Sequence, residues 1–153
     1  MVKSFFLTPS SFISIMCNVN ESAVVTCFLE SKGKILILKR SEKVGTYEGK
    51  WAGVSGYIET TPDEQAFKEI KEETGLNKSD IKLVKRGKPF SFMDKELNRK
   101  WVVHPYLFYV KRLANININW EHLEMKWILP EELTNYPTVP NLKQALERVW
   151  KFL

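Results

Sequence analysis

Ser55 to Leu76 reads SGYIETTPDEQAFKEIKEETGL, and this stretch decides the fold. Its second half carries every mark of a helix. Thr61 supplies an N-cap, Pro62 fits the first helical position, and Glu64 stands where a capping box needs an acid. Gly75 follows the last periodic residue, where a left-handed residue commonly stops a helix. Ala66, Phe67, Ile70 and Thr74 recur as an inward stripe. The spacing therefore predicts a helix over 62–74.

That helix is crowded with acids. Glu69 lies three residues before Glu72 and four before Glu73, so all three project from adjoining positions on one side. Like charges so placed repel, and near a helix C-terminus the macrodipole disfavours them further. A structural helix gains nothing from this, and a bound dication would reverse both penalties. Taken as bare residues, a solvated glutamate-rich face remains the commoner explanation. If a metal is held, hard oxygen donors with no His/Cys cluster favour magnesium over zinc, with manganese as an alternative.

Working outward, Ala23–Glu30 and Lys34–Arg40 read as strands joined by a tight turn at Ser31–Gly33. Residues 41–50 read as a loop, and 51–58 as a strand broken by glycine. Strands are expected at 81–87, 101–111 and 123–129, with a polar loop at 93–100. Pro130 opens a short helix. An amphipathic helix is expected over 141–152, with Leu142, Ala145, Leu146, Val149 and Phe152 on one face. Mixed strands with few helices point to an α/β fold with layers around a mixed sheet.

The 153 residues suit one domain, large enough for a core without disulfides. We divide it as an N-terminal extension at 1–21 and a domain at 22–153. Met1 to Met16 faintly resembles a secretory leader. Pro9 and four serines interrupt its apolar run, and Met16 is an alternative start. The two cysteines, Cys17 and Cys27, lack metal-ligand spacing and favour a reducing, cytoplasmic setting. No apolar run approaches a membrane span. The net charge is +5, yet residues 59–73 sum to −4 and the remainder to +9. An acidic spot in a basic surround suits metal ions meeting a polyanionic small molecule, and makes a nucleic-acid partner the weaker expectation.

The segment resembles the Nudix box. The core pattern Glu-apolar-x-Glu-Glu-x-Gly-apolar is complete from Glu69 to Leu76, and Gly49-x-Trp51-x-x-Val54-Ser55-Gly56 is similar to the family's lead-in. The Trp-Ala-Gly-Val-Ser-Gly-Tyr run also resembles archaeal Nudix domains. Three departures stand out. Lys68 replaces arginine, Val54-Ser55 replaces proline-glycine, and the loop after Gly56 is two residues short.

The resemblance implies a Nudix fold, an α/β/α sandwich around a mixed β-sheet, and a MutT-like hydrolase. It implies magnesium-dependent cleavage of a phosphoanhydride bond in a nucleoside diphosphate linked to another moiety, such as ADP-ribose, a dinucleotide or a nucleoside triphosphate. Glu69 and Glu73 are then the principal metal ligands. Glu72 is a further ligand or the base that activates water, and a carbonyl at Ser55 or Gly56 completes the site. A later loop glutamate often assists, and Glu121 is preferred here to Glu124. The family also makes a homodimer an expectation.

Other residues are open. His122 is a rival base, though a lone histidine is more often structural, as is His104. Lys39 and Arg40 are candidates for phosphate contacts. Tyr47, Trp51, Phe90 and Trp101 are candidates for stacking on a base. The rival functions are a non-catalytic Nudix-fold nucleotide-binding or regulatory module, a diphosphate isomerase, and an RNA-binding hydrolase.

Overall fold

The computed structural model describes residues 19–152. The expected extension, including Cys17 and the leader-like run, lies almost wholly outside the described residues. Its last three positions do not; β1 (Asn20–Ser31) begins three residues earlier than its apolar pattern and carries Asn20 and Glu21 into the sheet.

Two long strands organise the sheet. β1 runs parallel to β7 (Arg99–Val110), in register from Asn20 opposite Arg99 to Glu30 opposite Tyr109. Both are covered on both faces, which explains why each reads as a near-continuous apolar run. Around them lie β2 (Lys34–Arg40), β3 (Trp51–Ala52), β4 (Val54–Tyr57), β5 (Ile81–Arg86), β6 (Phe90–Asp94) and β8 (His122–Ile128). β4 pairs with β1, β8 and β3 pair with β2, and β5 and β6 pair with β7, all antiparallel. The β1–β2 turn places Lys32 and Gly33 at φ 53° and 79°. Positive φ at both positions is what a two-residue type I′ hairpin requires.

Alternation along the strands feeds two cores. Val25, Cys27, Leu29, Leu36, Leu38, Tyr106 and Phe108 face α1 (Pro62–Thr74), where they meet Ala66 and Ile70. Phe28, Ile35, Ile37, Trp101, Val103 and Leu107 face α2 (Leu142–Glu147), where they meet Leu142, Ala145 and Leu146. The result is the expected α/β/α sandwich around a mixed sheet. Fully burying such side chains is worth about 1.5–3 kcal/mol each, so the faces hold helices and sheet together.

α1 starts and stops where its caps dictate. The Thr61 hydroxyl accepts from the Glu64 N–H at 3.2 Å, and Gly75 at φ 79° returns its N–H to the Lys71 carbonyl. Glu64 bonds the Thr61 hydroxyl rather than the backbone N–H that a capping box uses.

Two expectations are corrected. Residues 90–94 form β6, because Phe90 and Phe92 alternate against β7, and Arg99–Lys100 belong to β7 itself. The terminal helix ends at Glu147, so Val149 still packs in the core but Phe152 is 37% exposed and leaves that face.

Candidate active site

One face of α1 is a carboxylate strip. Gln65, Glu69 and Glu73 follow at four-residue spacing and are all buried, while Glu72 one step round is exposed. Glu69 and Glu73 adjoin one turn apart on this buried face, and the Glu69 charge opposes ionisation of Glu73. Burial raises the Glu69 pKa. Burial, then the charges of Glu121 and Glu69, push Glu73 well up, against the opposing pull of the Ser55 backbone hydrogen bond. Gln65 Nε2 donates to Glu69 Oε2 at 2.6 Å, and Gln65 Oε1 accepts the Glu59 N–H at 3.1 Å.

β4 closes this strip from the other side. A Cβ at Gly56 would fall 2.2 Å from Glu69 Cδ, so glycine is the residue that leaves the carboxylate room. Glu73 Oε2 is buried with no hydrogen-bond partner. Such an orphaned acceptor costs about 1–3 kcal/mol unless something fills its place.

The donor set therefore fits a hard dication. Two adjoining buried carboxyls, an orphaned oxygen and a cradle at Gly56 are all oxygen chemistry. Among the described residues no three His, Cys, Asp or Glu side chains already converge as a ligand group. That is compatible with magnesium, which takes few carboxylates and keeps several waters.

Above the strip opens a cleft of about 490 Å³. Glu69, Glu72, Glu121, Gly56, Arg40, Tyr47 and Trp101 all line it. Glu73 is buried and does not line it. Lys39 and Trp51 do not line it. Trp51 is 5% exposed, its ring set edge-on to Tyr136 in the α2-side core, and Lys39 is its ladder partner. Phe90 is buried in the same core. Glu124 is exposed on β8 outside the cleft, and His104 borders a separate groove beside Thr61 and Asp63.

His122 is buried behind Glu73, Nε2 to Oε1 3.5 Å, and does not line the cleft. Burial and the Arg40 guanidinium push its pKa down to about 4, so it is neutral at pH 7. Arg40 is half-buried at the end of β2. Its Nε donates to the Thr46 carbonyl at 2.9 Å, bracing the 41–50 loop. Burial lowers its pKa, while the charges of Glu73 and Glu121 oppose that shift.

The apolar wall is a hydrogen-bonded aromatic group. Tyr47 donates to Asp94 Oδ2 at 2.5 Å and accepts from Trp101 Nε1 at 3.0 Å. Burial, then Asp94, push the Tyr47 phenol up to about 12. Tyr57 stacks on Trp101 at 6.0 Å, and the Arg99 guanidinium sits 5.0 Å from the same ring.

Glu121 is positioned by Asn119. Its N–H donates to Asn119 Oδ1 at 3.0 Å, and the Asn119 amide reaches the Glu72 carbonyl at 2.9 Å and Glu121 Oε1 at 3.4 Å. Sequence reading missed Asn119 and Gln65. Only the four-residue step from Gln65 to Glu69 was a signal in the chain. Lys68, in the arginine position, pairs at the surface with Glu59 at 3.0 Å.

Comparison with known proteins agrees with this geometry. The family model described as NUDIX domain matches residues 19–149. The structure is similar to the MutT protein from Methanosarcina mazei Go1, at 24% identity and TM-score 0.68, over 86% of this chain and 94% of that one. It is similar to an Ap4A hydrolase from C. elegans in a binary complex, at 17% identity and TM-score 0.67, over 85% and 94%. It is also similar to a MutT Nudix hydrolase from Burkholderia pseudomallei, at 20% identity and TM-score 0.65, over 86% and 99%. At these identities the structural likeness is one of fold. The match of the family model across the box helix, the cleft and both core faces shows that this chain belongs to the Nudix family.

Proposed function

We propose that this Nudix protein is a magnesium-dependent hydrolase that cleaves the phosphoanhydride bond of a nucleoside diphosphate linked to another moiety. The observation that carries the reading is the buried carboxyl pair Glu69 and Glu73, with Glu73 Oε2 unpartnered, beside an aromatic-walled cleft. Carboxyls are costly to bury in this way, and a dication bound to them offsets that cost.

Glu69, Glu73 and the Gly56 carbonyl would hold the metal. When bound, magnesium supplies phosphoryl polarisation, a more acidic attacking water and neutralisation of the leaving phosphate. The chain's own groups do the rest. Arg40 and Lys43 draw the phosphates into the cleft, and the Tyr47–Trp101 wall takes an apolar ring. Glu72, exposed to the cleft, accepts the proton of the attacking water. Glu121 stands as the second carboxylate at that point. Manganese substitutes for magnesium in this scheme. The reading also includes a reducing cytoplasmic setting, supported by Cys27 being a buried free thiol.

The test is turnover of a nucleotide panel with magnesium by wild type, Glu69→Gln and Glu73→Gln. Loss of product in both variants and after chelation is expected. Variants as fast as wild type overturn the mechanism. Tight nucleotide binding with no product over hours replaces it with a binding module.

A further inference from the structure

We propose that Gln65 is a positioning residue that keeps one oxygen of Glu69 out of metal coordination, so that the site selects small octahedral cations over calcium. This role rests on the metal site proposed above and adds a residue outside its ligand set.

Gln65 is 2% exposed. A buried amide is costly unless its polar ends are taken up, and an apolar side chain would serve the helix as well. Here both ends are used. Oε1 accepts the Glu59 N–H at 3.1 Å. Nε2 then points one turn along α1 and donates to Glu69 Oε2 at 2.6 Å. Reversing the amide would set donor against donor and oxygen against oxygen, so its orientation is fixed. The backbone that fixes it is itself tied, because the Ile58 N–H donates to the Ala23 carbonyl at 2.9 Å.

β4 encloses the same oxygen. The atoms that a Cβ at Gly56 would meet first are Cδ, Oε2 and Cγ of Glu69, and Oε1 lies further off. Oε2 is therefore held between Gln65 and Gly56, and Oε1 is the oxygen left for a cation. Glu73 likewise offers a single unpartnered oxygen, its own Oε2. One oxygen from each carboxylate suits magnesium and manganese. Their octahedral shell is tight and makes poor use of the narrow bite of a chelating carboxylate. Calcium takes more oxygens at longer range and readily uses both of one carboxylate. The Gln65 amide withholds that second oxygen.

Cation binding without substrate tests this, with manganese followed by electron paramagnetic resonance and calcium by its displacement of manganese. The proteins are wild type, Gln65→Met and Gln65→Glu. Methionine keeps the length and donates no hydrogen bond. In Gln65→Met the manganese Kd should rise roughly tenfold, as when an outer partner of a metal ligand is lost. The calcium Kd should not rise with it, because Glu69 regains its second oxygen. The ratio of calcium Kd to manganese Kd then falls roughly tenfold. Gln65→Glu turns the donor into an acceptor and should move the ratio the same way, and it decides alone if Gln65→Met does not fold. An unchanged ratio overturns the role. So does an equal loss for both cations, which marks a merely structural residue. If wild type binds no manganese, the metal site itself fails and the role of Gln65 falls with it.

Discussion

The side-chain amide of Asn119 donates to the backbone carbonyl of Glu72 across 2.9 Å, tying the loop before β8 to the helix that carries the carboxylates. The same side chain receives the Glu121 N–H through Oδ1. Asn119 therefore sets where Glu121 stands relative to Glu72. Asn119→Ala should lower kcat by about 10–100-fold, the usual cost of removing a residue that orients a metal-site group. The accompanying stability loss should be about 1 kcal/mol, one hydrogen bond's worth. Steady-state kinetics beside a thermal melt check this. A lowered melt with unchanged kcat makes the residue merely structural.

Gly56→Ala tests the cradle. The added Cβ would sit 2.2 Å from Glu69 Cδ, so the carboxylate must swing away from Glu73. Manganese binding, followed by electron paramagnetic resonance without substrate, should weaken by about an order of magnitude or more, as when a metal ligand's orientation is lost. Wild-type affinity in the variant removes Gly56 from the site.

Tyr47→Phe breaks the link from Asp94 to Trp101. It leaves the Trp101 indole N–H without the acceptor it has at 3.0 Å. A destabilisation of about 1–3 kcal/mol follows from an orphaned buried donor. Chemical denaturation measures it. The phenol also has a sign at high pH. Its folded value, about 12, lies above the ordinary 10. The folded form keeps its proton longer, so this contribution is intact below about pH 10 and fades as pH rises towards 12. Tyr47→Phe should remove that part of the alkaline decline.

Asp63 sets the acid limit of one contact. Hydrogen bonds from Arg86, at 2.6 Å from Nη2, and from Tyr106, also at 2.6 Å, hold its carboxyl below the usual range. A depressed folded pKa gives stability that is present above the unfolded value of about 3.9 and lost as pH falls through the folded one. Melting temperature should therefore drop below about pH 4 more steeply in wild type than in Asp63→Asn. The pair is largely exposed, so the difference should be small and shrink with salt. Parallel slopes in the two proteins contradict it.

Much of this was legible in the chain. Thr61, Pro62 and Gly75 fixed the helix through local chemistry, and local chemistry is what a sequence displays. The glutamate spacing placed Glu69, Glu72 and Glu73 on one side. It did not reveal that Glu73 is buried and Glu72 open, because that depends on β4 closing over the strip. Trp51 looked available for stacking, yet it is buried edge-on against Tyr136 and does not line the cleft. Asn119 carries no signal of its own, since its partners lie 47 positions back on α1 and two positions ahead. β6 was hidden by polar neighbours at the hairpin tip, where only Phe90 and Phe92 alternate and Met93 is exposed.

The parallel pairing of β1 with β7 has a consequence for how the protein is made. Every partner along that ladder lies 79 positions further down the chain. Closing so long a loop costs entropy before any contact rewards it. On the ribosome, β1, β4 and the acidic helix emerge first and wait without their central neighbour. The carboxylate strip is thus assembled late, by a strand that contributes none of its carboxylates. A chain halted before Arg99 would carry the whole box and lack the floor that holds it.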